Sequence, residues 1–79
     1  MGINDEHITY RVGIEQLDEH LQPIEHIDSW DFYELDNALI MYDGIKPIKN
    51  KTAVYIMKTD EIKNEISLIR SKGYKRKIK

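Results

Sequence analysis

The sequence predicts a small α+β domain: an antiparallel β-meander of about four strands with one C-terminal α-helix, about residues 60–72, packed on one face. Three observations predict it. Apolar and polar residues alternate from Ile8 to Glu15. Short apolar runs at Ala38 to Tyr42 and Thr52 to Met57 are bounded by turn formers. Finally, Ile62, Ile66 and Ile69 recur at i, i+4 and i+7 between a capping threonine and a glycine. A chain of 79 residues supports one small core, and a sheet of that size needs a second layer over one face. Residues 1–73 therefore read as a single domain and residues 74–79 as a basic tail.

The first strand is the alternation Ile8, Tyr10, Val12, Ile14, with Thr9, Arg11 and Gly13 between them. Ile14, Leu17 and Leu21 also fit i, i+3 and i+7 on one helix face, ending before Gln22-Pro23, so residues 14–21 carry a competing helical reading. From Ile24 to Leu35, β-branched and aromatic residues predict strand, and Asp36-Asn37 tolerates the turn that leads to the next one. Ala38 to Tyr42 is then a short strand stopped by Asp43-Gly44. Pro47 keeps the following segment out of a central strand, and Lys49-Asn50-Lys51 precedes the strand of Thr52 to Met57. In the last element Thr59 can cap, Asp60 and Glu61 complement a positive helix end, Arg70 and Lys72 sit in the last turn, and Gly73 can take the left-handed stop.

Charge is divided along the chain. Residues 1–44 hold eleven carboxylates against Arg11 alone, a net of −10, and residues 45–79 hold eleven cations against Asp60, Glu61 and Glu65, a net of +8. The near-neutral total of −2 thus hides two opposed fields, and a field selects the sign of a partner. Cysteine is absent, which removes disulfides, thiolate metal sites and a cysteine nucleophile, and fits a reducing, cytoplasmic setting. No apolar run approaches the roughly 20 residues of a membrane span. The acidic opening Asp5-Glu6 also reads against a signal peptide.

Chemistry finds little to build on. His20 and His26 are six apart, matching neither a helical nor a strand spacing for zinc. The serines lie in no nucleophile elbow, and the four glycines are isolated, so no phosphate loop exists. Glu61-Ile62-Lys63 with Asp43 has the residue types of a metal-dependent nuclease, but a three-residue pattern is common by chance. No catalytic residue, metal site or cofactor is expected. Trp30, Phe32 and Tyr33 read as core aromatics.

The expected function is that of a small non-enzymatic interaction protein that binds a protein partner, and modulates or inhibits it, through an acidic β-face. The contact would comprise Asp18, Glu19, Glu25, Asp28, Asp31, Glu34, Asp36 and Asp43. The alternative is a nucleic-acid-binding module using the basic helix and tail: Arg70, Lys72, Tyr74, Lys75, Arg76, Lys77 and Lys79, with Tyr74 as a stacking face among cations. Two opposed fields on one chain also permit a homodimer.

Overall fold

The computed structural model describes residues 7–74. Its elements are β1 (Ile8–Leu17), β2 (Pro23–Phe32), α1 (Leu35–Gly44), β3 (Thr52–Asp60) and β4 (Glu65–Lys72). The strands form one antiparallel sheet in the order β2-β1-β3-β4. The α+β class, four strands and a single helix agree with the sequence. Two parts of the expected arrangement do not. The helix lies in mid-chain rather than at residues 60–72, and the sheet is not a simple meander, because β1 sits between β2 and β3. β2 and β3 are both antiparallel to β1 and therefore parallel to each other, so the chain needs a crossover to pass between them. α1 is that crossover.

Residues 60–72 make a hairpin for a local reason. Asp60 Oδ1 accepts from the backbone N–H groups of Ile62 and Lys63, both at 3.1 Å, the bonds a helix cap makes. One turn later Asn64 adopts φ 57, a left-handed conformation asparagine tolerates, and the chain reverses. β4 then pairs with β3 from Asp60↔Glu65 to Val54↔Lys72, and Gly73, at φ 96, ends a strand rather than a helix. Residues 14–21 likewise hold no helix: β1 runs to Leu17, and a turn comes next with Leu21 at φ 62.

α1 replaces the strand expected at Ala38 to Tyr42. Ala38, Leu39 and Met41 are strong helix formers, and Ala38 and Tyr42, four apart, are its buried stripe. Asp36 falls in the first turn, where its charge complements the helix dipole, and Glu34 Oε1 accepts from Asn37 Nδ2 at 3.2 Å. The last turn has no basic residue of its own. Lys72 of β4 supplies the cation: its Nζ donates to the Tyr42 carbonyl at 2.9 Å and lies 4.3 Å from the Tyr42 ring centroid.

The core lies between α1 and the sheet. Val12, Val54, Ile56 and Ala38 are fully buried, with Tyr10, Ile14, Phe32, Leu39, Met41, Ile45 and Ile69 packed around them. Each fully buried Val or Ile contributes about 1.5–3 kcal/mol relative to exposure. The opposite, helix-free face is closed in the middle only. A Cβ at Gly13 would overlap the Tyr55 ring, so Tyr55 lies across the glycine and is itself buried. At Gly73 the chain turns against Ala53, and Tyr74 donates its hydroxyl to Glu15 Oε1 at 2.6 Å.

Candidate functional site

Antiparallel pairing fixes where each charge goes. β1 begins, β2 ends, β3 ends and β4 begins at one end of the sheet, and α1 starts there too. The loop from α1 to β3, the β1–β2 turn and the last residues of β4 gather at the other end.

The eight carboxylates expected to share one β-face fall into three groups. Asp31, Glu34 and Asp36 surround the corner where edge strand β2 runs into α1, Asp28 lies about 13 Å back from the end of that strand, and all four are exposed. Asp18, Glu19 and Glu25 lie at the far end of the same edge, around the β1–β2 turn. Asp43 sits near the end of α1, on the order of 10 Å along the axis from Asp36. Nor do the β2 acids share a face. Asp31 is paired with Arg11 on the helix-free side, and Asp28 is paired with Ile14, a core residue on the helix side. The acidic feature is therefore an edge and a corner.

The carboxylates differ in what they already hold. Arg11 clasps Asp31 in a two-pronged pair, Nε to Oδ1 at 2.8 Å and Nη2 to Oδ2 at 3.2 Å, which holds the Asp31 carboxyl below the usual range and raises the guanidinium. Asp18 Oδ1 accepts from the amides of Gln22 at 2.9 Å and His20 at 2.8 Å, so it organises the β1–β2 turn, and those bonds hold its carboxyl low. Asp28, Glu34 and Asp36 bind no cation among the described residues. Within that same span, no Lys or Arg beyond Gly44 lies within 4.0 Å of a carboxylate: the ion pairs are Arg11 with Asp31, His7 with Asp60 and His20 with Glu19. The two fields do not satisfy each other within the described fold.

The three aromatics near this corner, expected in the core, divide. Trp30 is paired with Val12 on the helix side, and Phe32 packs against the core. Tyr33, between them and the helix, is 66% exposed. Its ring sits between Asp31 and Glu34 in sequence and lines a shallow depression with Ile8, Tyr10, Glu34, Leu35 and Asp36. Sequence reasoning missed Tyr33 as a surface group. The one signal for it was its place just past the alternating strand, where the facing of a side chain is no longer set by the pleat.

Five basic residues collect diagonally opposite, while Lys58 of β3 and Lys63 of the β3–β4 turn lie toward the same end as the acidic corner. Lys46, Lys49 and Lys51 lie in the loop entering β3, and Arg70 and Lys72 at the end of β4. Lys72 is held by Tyr42, and the Tyr74 hydroxyl by Glu15, with burial pushing that phenol up. Lys75, Arg76, Lys77 and Lys79 lie outside the described residues. Asp43 and Glu61 fall at opposite ends of the sheet, so the nuclease-like residues are not assembled. Among the described residues there is no group of three or more His, Cys, Asp or Glu side chains that could hold a metal ion, and no helix long and apolar enough to cross a membrane. Compared with protein-family models, with curated proteins and with solved structures, the chain shows no significant match.

Proposed function

We propose that the protein is a small non-enzymatic binding module that docks on a cationic surface of a protein partner and modulates or inhibits it. The contact is the corner where β2 runs into α1. One observation carries this reading: Tyr33 stands 66% exposed beside Glu34 and Asp36, with Asp28 further back along the same edge strand, and none of these carboxylates binds a cation among the described residues. Interface energy concentrates in a few anchors, and an exposed tyrosine supplies large, rigid, amphipathic area at low entropic cost. Unpaired carboxylates around it steer a basic surface inward and set its orientation. Arg11 keeps Asp31 out of that role and instead fixes β2 to β1. A cysteine-free chain suits a cytoplasmic setting for this encounter.

The test is affinity capture from the encoding organism, with and without nuclease, comparing wild type with Tyr33→Ala and with the triple reversal Asp28→Lys, Glu34→Lys, Asp36→Lys. All four side chains are exposed and the reversals at the start of α1 cost about 1 kcal/mol each or less, so circular dichroism should show the fold retained at a somewhat lower stability. The reading predicts a nuclease-resistant protein partner whose affinity falls at least about tenfold, or about 1.4 kcal/mol, in each variant. Equal capture by all three proteins would sink it. Capture that disappears with nuclease would move the contact to the basic end, the nucleic-acid alternative.

A further inference from the structure

The two edges of the sheet are unlike. β2 carries Glu25, Asp28 and Asp31 and no Lys or Arg, so a second β2 alongside would set carboxylates near carboxylates, one of the ways natural sheets protect an edge. β4 carries charges of both signs instead, so like charges do not oppose its own copy. It starts with Glu65, ends with Arg70 and Lys72, and leaves Ile66 and Leu68 69% and 61% exposed. Among the described strands only β3 pairs with it, so the backbone groups on its outer side have no strand partner there.

An irregularity in β4 gives this edge its self-complementarity. The register shifts between Ile56 and Met57, where Ile69 is the extra residue and packs toward the core. In a regular strand Glu65 and Lys72, seven apart, would point to opposite faces. The extra residue cancels that offset. Glu65, Ser67, Arg70 and Lys72 pair with Asp60, Lys58, Ile56 and Val54 on the helix side, while Ile66 and Ser71 pair with Thr59 and Tyr55 on the other. Turned about a two-fold axis between Leu68 and Ile69, the strand then meets its own copy with Glu65 opposite Lys72, Ile66 opposite Ser71 and Ser67 opposite Arg70, each of these pairs on a common face.

We infer that the chain forms a symmetric homodimer by antiparallel pairing of β4 with β4 of a second copy in this register, joining the two sheets into one. Each interface sets Glu65 opposite Lys72 twice, because a two-fold contact is isologous, and Lys72 Nζ keeps two donors beyond the one it gives the Tyr42 carbonyl of its own chain. The dimer leaves β2 and its acidic corner free at both outer edges, so it stands independently of the binding role proposed for that corner.

Sedimentation velocity over a range of concentrations tests this with two surface variants. Within one chain Glu65 and Lys72 stand opposite Asp60 and Val54, about 20 Å apart and beyond direct pairing, whereas Ser67 and Arg70 stand opposite Lys58 and Ile56, about 7 Å apart, within reach of a pair inside one chain that would not itself tighten association. Wild type should show a reversible monomer–dimer equilibrium. Glu65→Lys, which sets like charges together at both symmetric sites, should weaken it roughly tenfold, and Ser67→Glu, which faces Arg70 of the other copy, should tighten it several-fold. Because one change is a gain, misfolding cannot mimic the pair of results. Wild type remaining monomeric up to about 1 mM, association indifferent to both substitutions, or species that grow without limit as β2-to-β4 contacts would, each overturns the inference.

Discussion

At Gly13 the space of a side chain is taken by a neighbour, for the Tyr55 ring lies where a Cβ would project. Gly13→Ala must displace that ring or bend β1, an overpacking that costs about 1–3 kcal/mol, read as a lower urea midpoint at unchanged slope. An unchanged midpoint would contradict the placement of Tyr55. Carboxylates make the second prediction at this scale. Backbone amides hold Asp60 and Asp18 below the ordinary range, Lys63 first for one and Gln22 first for the other, and Arg11 does the same for Asp31. Each contributes stability that is full above its unfolded value near about 3.9 and is lost as pH falls through its lower folded value. Stability should therefore decline below about pH 4, and Asp60→Asn should flatten that decline in urea titrations across the acid range; an identical slope would deny Asp60 its part.

Among the elements, β1 and β3 were legible because alternation and β-branched residues coincide there with burial. The exchange between α1 and β4 was not, and Asp60 shows why. Its capping bonds are real and local, yet they close one turn, and the strand beyond that turn forms because β3 needs a partner along its outer edge. Ile62, Ile66 and Ile69 kept helical spacing by accident of a tight turn and a bulge: Ile66 is paired with Thr59 on the helix-free side, while Ile69 packs toward the core. In α1 the signal was present in Ala38, Leu39 and Met41, and Asp36-Asn37 masked it by resembling a turn. The hairpin makes its own prediction. Asn64→Ala places a Cβ residue without a helpful side chain at φ 57 and should cost about 1 kcal/mol, whereas Asn64→Gly should cost nothing measurable in urea unfolding. A helix at residues 60–72 would reverse that order, since alanine favours and glycine opposes it.

For the whole molecule, the charge division seen along the chain becomes a division across the sheet. Asp31 near the end of β2, with Glu34 and Asp36 at the start of α1, occupies one corner, and Lys46, Lys49, Lys51, Arg70 and Lys72 lie toward the other end. Which residues are acidic was legible; that they form a corner was not, because strand order places β2 at an edge only once β1 is inserted beside β3. Tyr33 was hidden for the same reason, as its exposure depends on where β2 stops and α1 starts. The central claim is that this corner, and not the basic end, meets the partner. Site-specific photo-crosslinking tests it most directly, with benzoylphenylalanine placed at Tyr33 in one sample and at exposed Lys49 in another, in the native host. The account predicts a nuclease-resistant adduct to a basic protein from position 33 and none to that protein from position 49. The same adduct from position 49 alone would contradict it.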